Sequence, residues 1–400
     1  WAVGGILRVG STADGTLNVE AGGVVSNTNG NIAAYSGSTG EATITGSGSQ
    51  WTNSGIMSVG RQGEGTLNVE AGGVVSNHNG YIGRYSGSTG EATITGSGSQ
   101  WTNSENMFIG GNSSGAGGSG TLNLYDSGLV TVLDTTKLWS TGSLNLDGGS
   151  LTTGSFDNSE SGALRFRDGT LTVNGAGGFF DPGHGNFEID GFWSDSLPEL
   201  VIANTATATL SGDLSIVSGA LTVTGSGSQW TSSGMIVGQD MIATGTLNVE
   251  AGSIVSSNGS SQFGIGSFAY GVATVTGTGS QLTNSSNLYV GYSGSGRLNV
   301  EAGGVVSNSR GYIGYDSAIS TGIVTVTGSG SQWNNSSKLY VGYEGVGRMN
   351  VEAGGVVSNT YGYIGYDSGA TGIATVTGSG SQWNNSDQLY VGYESSGTLN

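Results

Sequence analysis

A segment of about fifty residues recurs along this chain. A fixed period of this size is typical of repeat architectures, in which each unit completes its core only by stacking on its neighbours. The divergent middle of the chain interrupts the repeats once. A single tryptophan marks each copy, and in one copy Leu282 replaces it. The marker is a tryptophan, found at Trp1, Trp51, Trp101, Trp230, Trp333 and Trp383.

The repeats favour short strands over helices. The chain contains 79 glycines without a Gly-X-Y period, and its hydrophobic fraction of 35% argues against disorder. No apolar residues recur at helical spacing, and short alternating stretches are separated by Gly, Ser and Asn. The sequence therefore predicts an all-β protein.

Each repeat is internally double. Residues 345–352 match residues 370–377, and residues 340–343 match residues 363–366. The offset of about 23–27 residues equals one coil, or rung, of a parallel β-helix with three short strands. We therefore predict a right-handed parallel β-helix (β-solenoid) with two rungs per repeat, because parallel connections are strongly right-handed.

Alternation assigns the faces of the strands. Leu67 and Val69 are expected to point inward and Asn68 and Glu70 outward, because successive strand side chains alternate. Glu70 would then stack on Thr95 of the next rung, so that like charges lie two rungs apart.

An asparagine column is expected at an inward bend two residues after each core Val or Trp. Amides in such a column can hydrogen-bond from rung to rung. Ser232 and Ser257 occupy the position in two rungs. The predicted structural ladder consists of Asn27, Asn53, Asn77, Asn103, Asn284, Asn308, Asn335, Asn359 and Asn385.

We predict one continuous solenoid in three parts. Residues 1–115 and 221–400 hold regular repeats, and residues 116–220 hold shorter, divergent rungs. A protruding loop is expected at residues 179–198, which contain both prolines. Because the chain begins and ends inside a repeat, we expect it to be a piece of a longer protein, with any targeting or anchoring segment outside it.

Charge and composition exclude several classes of function. The net charge of −18 and the absence of clustered Lys and Arg argue against nucleic-acid binding. Cysteine is absent, so no disulfide holds the fold, and no stretch of apolar residues is long enough to span a membrane. No Cys/His spacing predicts zinc, and no cofactor is expected. Calcium binding is left open.

The sequence of the repeat resembles that of a known family. Residues 296–306 read GRLNVEAGGVV, and residues 325–333 read TVTGSGSQW. This pattern is similar to the repeat of autotransporter (type V secretion) passenger domains, which also occurs on proteins with PEP-CTERM sorting tails. The resemblance covers residues 1–110 and 221–400. It implies a right-handed β-helix displayed outside a bacterial cell, often in adhesion, and it implies no catalytic residues.

Tyrosines flank an inward Val or Ile in each of the last five rungs, and alternation turns both outward. Stacking could simply stabilise the sheet, or the rings could form a contact strip for a glycan or another solenoid. In the N-terminal rungs, the first column instead contains Arg8, Asn31, Ser58, Tyr81 and Phe108. The two predicted columns are Tyr289, Tyr312, Tyr340, Tyr363 and Tyr390, and Tyr292, Tyr315, Tyr343, Tyr366 and Tyr393.

An enzymatic alternative starts from the Gly-His-Gly tripeptide at residues 183–185, which is similar to that of polygalacturonases. Asp181 and Asp190 lie near His184, and glycoside hydrolysis needs two carboxylates at a fixed separation. The remaining motifs of that family are absent. A lyase would need a basic residue, and Lys137 and Lys338 are the only lysines.

The sequence therefore predicts a non-enzymatic, extracellular, surface-displayed adhesin-like rod. Its expected partners are glycans or a host or neighbouring cell surface, with homo-association through solenoid ends or faces as a further option. The alternatives are a self-assembling filament or sheath subunit and a polysaccharide-degrading β-helix enzyme.

Overall fold

The computed structural model describes residues 1–183, 185–191 and 197–400, and its regular secondary structure over these ranges is β-strand throughout. None of the described residues belongs to a helix that could cross a membrane. The all-β prediction is confirmed.

The chain divides into two compact units. Unit 1 comprises the described residues of 1–184 and 193–198, and unit 2 comprises those of 185–192 and 199–400. Within each unit, every rung adds strands to parallel stacks, as the sequence predicts. Each unit is thus a parallel β-solenoid. The right-handed sense and the three-part division by repeat regularity remain predictions.

Three strand positions recur in each rung, and we call them the long-strand face, the tryptophan face and the third face. In unit 1, the long-strand face consists of Gly15–Val19, Thr39–Thr45, Glu64–Glu70, Thr89–Thr95, Ser119–Tyr125, Gly142–Asp147 and Ala163–Phe166. The tryptophan face contains Gln50–Asn53, Val74–Asn77, Gln100–Asn103 and Thr170–Val173. The third face contains Ile56–Val59, Asn79–Ile82, Met107–Ile109 and Phe179–Asp181. Four longer strands run through both the tryptophan face and the third face, namely Ala2–Val9, Val24–Ile32, Leu129–Leu138 and Ser150–Asp157.

Unit 2 repeats this order. Its long-strand face consists of Glu199–Ile202, Thr244–Glu250, Tyr270–Thr276, Ser295–Glu301, Thr321–Thr327, Val346–Glu352, Thr371–Thr377 and Ser396–Leu399. Its tryptophan face consists of Thr207–Thr209, Gln229–Ser232, Ile254–Ser257, Gln281–Asn284, Val305–Asn308, Gln332–Asn335, Val356–Asn359 and Gln382–Asn385. Its third face consists of Phe187–Asp190, Met235–Gln239, Ser261–Ile265, Asn287–Val290, Arg310–Ile313, Lys338–Val341, Tyr361–Ile364 and Leu389–Val391. Leu214–Thr224 runs from the third face into the long-strand face.

The register follows the predicted alternation. Glu70 pairs with Thr95 and Leu67 pairs with Ala92, so that large and small core residues meet between rungs. Leu67 and Ala92 are fully buried, which places the apolar side of every strand in the solenoid interior. In unit 2, Thr327 lies between Glu301 and Glu352 of the flanking rungs, and this spacing limits like-charge repulsion.

The divergent rungs are shorter than the regular ones. Lys137 and Asp157 are paired neighbours on adjacent rungs although only 20 residues separate them. The small antiparallel hairpin of Gly111–Asn112 and Gly115–Ala116 is an excursion from the parallel pattern.

The loop predicted at residues 179–198 includes segments that the structure shows as paired strands. Phe179–Asp181 pairs with Ser150–Asp157, and Phe187–Asp190 pairs with Leu214–Thr224. Phe180 and Phe187 are buried, so these segments continue the inward alternation instead of leaving the stack. Residues 192–196, which include Trp193, lie outside the described residues, and a protrusion there remains a prediction.

The asparagine column is buried except at the half-buried Asn385, and the structure groups eight of its nine members into pairs, whereas Asn284 Oδ1 accepts a hydrogen bond from Ser261. Asn27 Nδ2 donates to Asn53 Oδ1 at 2.6 Å, and Trp51 Nε1 donates to Asn27 Oδ1 at 2.7 Å. The indole N–H of Trp51 therefore uses Asn27 Oδ1. In an unbroken ladder, this oxygen would accept from the side-chain amide of another asparagine. The same three-residue network recurs at Trp101, Trp333 and Trp383, with Asn77, Asn308 and Asn359 as the acceptors.

Candidate functional site

The ten tyrosines singled out in the sequence lie together on the third face of unit 2, which we call the tyrosine face. The rings of the first column are in register from rung to rung, as the pairs Tyr289 with Tyr312 and Tyr340 with Tyr363 show. The strands supply this register because four of the five first-column tyrosines precede a buried Val or Ile that anchors the rung, namely Val290, Ile313, Val341 and Ile364.

Both columns are stacked. In the first column, Tyr312 and Tyr340 have ring centroids 4.9 Å apart and planes inclined by 9°. In the second column, Tyr343 and Tyr366 are 5.0 Å apart with planes inclined by 11°. These separations follow the strand spacing of about 4.8 Å, so the sheet itself brings the rings into contact.

The second column covers the first. Tyr343 meets Tyr340 edge to face, with centroids 5.1 Å apart and an interplanar angle of 86°. Gly342 lies between them with a φ of 75°, and this left-handed conformation bends the chain back across the sheet. A Cβ at Gly342 would also lie 2.5 Å from the carbonyl oxygen of Thr371.

This cover corrects the expectation that all ten rings are available for contact. Tyr312, Tyr340 and Tyr363 are only 8%, 5% and 9% exposed. All three project away from the solenoid interior, but they form a small apolar cluster beneath the second column. In the second column, Tyr393 is exposed and Tyr343 is half-buried, so this column is more accessible than the three covered tyrosines.

Burial changes the acidity of the phenols. Desolvation, followed by the neighbouring phenol groups, raises the pKa of Tyr315 to about 12. Desolvation and the neighbours Tyr312, Tyr366 and Tyr363 also raise the pKa of Tyr340. The raised pKa values keep the phenols of Tyr315 and Tyr340 protonated at neutral pH, so that their hydroxyl groups remain hydrogen-bond donors.

One edge of the tyrosine face is acidic. Each of four successive second-column tyrosines is followed by a carboxylate, namely Asp316, Glu344, Asp367 and Glu394. Burial, together with Asp367 and Asp316, raises the pKa of Glu344. The recurring Tyr-Asp and Tyr-Glu dipeptides are the sequence signal of this acidic column, which was not predicted.

The opposite side of the face carries basic residues. Lys338 Nζ lies 6.0 Å from the ring centre of Tyr361 and 5.8 Å from that of Tyr363. A cation over a ring face is attracted by its quadrupole, so this lysine helps to fix the face.

Lys137 and Asp181, which the enzymatic alternative considered, each bind neighbouring groups of the chain. Lys137 Nζ is paired with Asp157 at 2.8 Å and donates to Ser159 at 2.7 Å. Burial opposes ionisation of Asp157, but hydrogen bonds from Lys137 and Ser159 outweigh it and lower the pKa. Asp181 accepts the amide of Gly183 at 2.9 Å.

His184 lies outside the described residues, so the catalytic hypothesis around it stays untested. Within the described ranges, no group of three or more His, Asp or Glu side chains is arranged to hold a metal ion.

The fold and this face define a parallel β-solenoid repeat protein with a double tyrosine ladder. No protein-family model matches the chain. The chain is 35% identical over 130 residues to the adhesin BmaC autotransporter of Brucella suis biovar 1 (strain 1330). This match covers 30% of the chain and only 4% of that protein.

A comparison with solved structures gives the TibC-catalysed hyper-glycosylated TibA fragment. The match covers 99% of this chain and 100% of that chain at 16% identity, with a TM-score of 0.33. A segment of the present chain thus shares weak sequence similarity with an autotransporter adhesin, and the β-solenoid itself follows from the strand pairing described above.

Proposed function

We propose that this chain is part of a surface-displayed, non-enzymatic, adhesin-like structural protein that acts outside a bacterial cell. The similarity to an autotransporter adhesin supports this class, although the chain spans only 4% of that protein's length. An autotransporter passenger is the form of display that we infer, and a PEP-CTERM protein is the second form.

The observation that carries the proposal is the second column of the tyrosine face, whose rings are half-buried or, at Tyr393, exposed. Five rungs present amphipathic rings at a fixed spacing on a rigid sheet, from Tyr292 to Tyr393. Rings held in this way lose little conformational entropy on binding, and they offer both a flat apolar surface and a hydroxyl group. Such a surface suits sugar rings or the flat face of another protein, and we infer that glycans of a host or neighbouring cell are the partners.

Glycan-array binding of the 400-residue chain tests the proposal. The triple variant Tyr315→Ala, Tyr343→Ala and Tyr366→Ala should lose binding, because it removes three half-buried rings of the second column that remain partly accessible. The matched control Thr325→Ala, Asn350→Ala and Thr375→Ala changes half-buried outward residues of three consecutive rungs on the long-strand face of the same unit and should leave binding unchanged.

A second variant separates folding from contact. Tyr→Phe at the same three positions keeps the stacked rings and removes only the hydroxyl groups, so binding through ring stacking should persist. Equal binding by the wild type and the triple alanine variant, with both folded by circular dichroism, would remove the tyrosine face from the proposal.

A further inference from the structure

The third face of unit 1 has a different chemistry from the tyrosine face. Arg61 and Arg84 follow a buried Val or Ile and a glycine, at the sequence position that the second-column tyrosines occupy in unit 2. Arg8 lies in the first column of the same face, in register with Asn31 of the next rung. Three of the ten basic residues of an acidic chain are thereby brought together on one surface.

These arginines surround a cavity of about 180 Å³, which we call the arginine pocket. Ligand pockets for drug-sized molecules usually measure ~300–1,000 Å³, so this one suits a single ring of a larger ligand. Its polar lining consists of Arg8, Arg61, Arg84, Tyr35, Asn29 and Asn31.

Aromatic rings hold the guanidinium groups in place. The Arg84 guanidinium lies 4.2 Å from the ring centre of Tyr81 and 5.1 Å from that of Tyr85. Arg61 lies 5.4 Å from the ring centre of Tyr85, and Arg8 lies 5.9 Å from that of Tyr35. Stacking of this kind fixes the plane of an arginine and leaves its N–H groups free to bind.

The guanidinium groups have unused donors. Arg84 Nη1 donates to Ser58 Oγ at 3.2 Å, and Arg61 Nη1 donates to the Ala34 carbonyl at 3.1 Å. Arg84 Nε is buried and has no hydrogen-bond partner. Among the described residues, no carboxylate lies within ion-pair distance of Arg8, Arg61 or Arg84, although acidic residues outnumber basic ones 28 to 10.

Three clustered, unneutralised positive charges match an anionic ligand. An arginine binds a planar carboxylate through two parallel N–H bonds, and a buried N–H without a partner gains most from such an acceptor. We propose that the arginine pocket binds a carboxylate-bearing sugar unit of an acidic glycan.

The rest of the lining fits a sugar. The ring of Tyr35 is 41% exposed and offers a flat apolar surface beside the charge. Asn29 Oδ1 accepts the Ile56 amide at 2.8 Å, which leaves the Asn29 amino group as a donor for a hydroxyl. The pocket lies in unit 1, so its binding does not depend on contact through the tyrosine face of unit 2.

Isothermal titration calorimetry with the 400-residue chain and oligogalacturonate tests this site. Oligogalacturonate should bind saturably, and the neutral galactose oligomer of equal length should not. Arg61→Gln and Arg84→Gln should each weaken binding about tenfold or more, because each removes a charged donor pair. Raising the salt concentration should weaken binding as well.

Arg348→Gln is the matched control. It removes one positive charge from an exposed position on the long-strand face of unit 2 and should leave the affinity unchanged. Because Arg84 is half-buried, Arg8→Gln at an exposed position serves as a second variant, and thermal unfolding of each variant verifies that it is folded.

Three results would overturn the proposal. The first is no saturable binding of oligogalacturonate by the wild type. The second is an equal loss of affinity in Arg348→Gln, which would indicate a general charge effect. The third is equally tight binding of poly-glutamate, which would make the pocket a site for acidic peptides. A loss of tyrosine-face binding leaves these measurements unaffected, so failures of the two proposals are distinguishable.

Discussion

Trp333 Nε1 donates a hydrogen bond of 2.7 Å to Asn308 Oδ1, which lies on the preceding rung. Asn308 Nδ2 in turn donates to Asn335 Oδ1 at 2.7 Å. Trp333 is fully buried and the two asparagines are 5% and 4% exposed, so neither amide can turn to water instead. Trp333 is therefore a core side chain whose single polar atom is satisfied by the asparagine column, as the indole nitrogens of Trp51, Trp101 and Trp383 also are.

Asn308→Ala should destabilise unit 2 by about 2–4 kcal/mol, because it leaves the Trp333 N–H and the Asn335 carbonyl buried without their partner. Urea unfolding followed by tryptophan fluorescence measures the effect. Asn350→Ala, a half-buried outward asparagine of the long-strand face, is the matched control and should change stability little. Equal unfolding midpoints for the two variants would contradict the role assigned to this network.

Gly311→Ala should cost about 1–3 kcal/mol through overpacking. A Cβ at this position would lie 2.5 Å from Asn335 Oδ1 and 2.7 Å from Trp333 Cζ2, both in the next rung. Gly115→Ala is the control, because no atom lies within 4 Å of its Cβ position. Thermal unfolding compares the two, and a tolerated Gly311→Ala would mean that the rungs can separate without loss.

Leu298→Asp tests the solenoid core. Leu298 is fully buried and pairs with Ala273 and Val324 of the adjacent rungs, so the carboxylate would be buried without a partner. We expect a loss of about 4 kcal/mol or more in the free energy of unfolding. Asn350→Asp adds the same charge at a half-buried outward position two rungs away and should retain near wild-type stability in denaturant unfolding.

Alkaline pH should destabilise the tyrosine face. An unfolded tyrosine ionises near pH ~10, whereas burial raises the pKa of Tyr315 to about 12. The folded state therefore holds its phenolic protons more tightly than the unfolded state. The resulting stability is fully present below pH ~10 and is lost as the pH rises through the folded pKa.

Urea midpoints across this pH range, followed by tryptophan fluorescence, provide the measurement. The variant with Tyr315→Phe, Tyr340→Phe and Tyr343→Phe has fewer phenolic protons to lose on the face and should show a weaker pH dependence. The same decline in both proteins would place the alkaline sensitivity elsewhere in the chain.

The sequence predicted much of the candidate site. Tyr340 and Tyr363 occupy equivalent positions of successive rungs. The stacking of such tyrosines into columns therefore followed from the repeat period alone. The burial of Tyr340 could not be predicted in the same way. It depends on the left-handed Gly342 and on the resulting packing of Tyr343 across the column, which is a tertiary contact and not an alternation pattern.

The arginine pocket shows the same limit. Arg61 and Arg84 are each visible in the sequence, but their neighbours Tyr35 and Asn29 occupy other positions of the repeat sequence. Only folding brings these residues to one cavity, because their distance depends on side-chain direction as well as on the rung to which each belongs.

By itself, the sequence determined the coiled parallel architecture, the inward and outward sides of the strands and the vertical columns. These properties follow from a fixed period and from strand geometry, which leaves few ways to bury the apolar positions. The tertiary structure decided which column is covered, how Trp333 divides the asparagine ladder and which arginines have no carboxylate within ion-pair distance among the residues described. Those outcomes depend on the close packing of particular side chains between rungs, and such packing is specific to each neighbour.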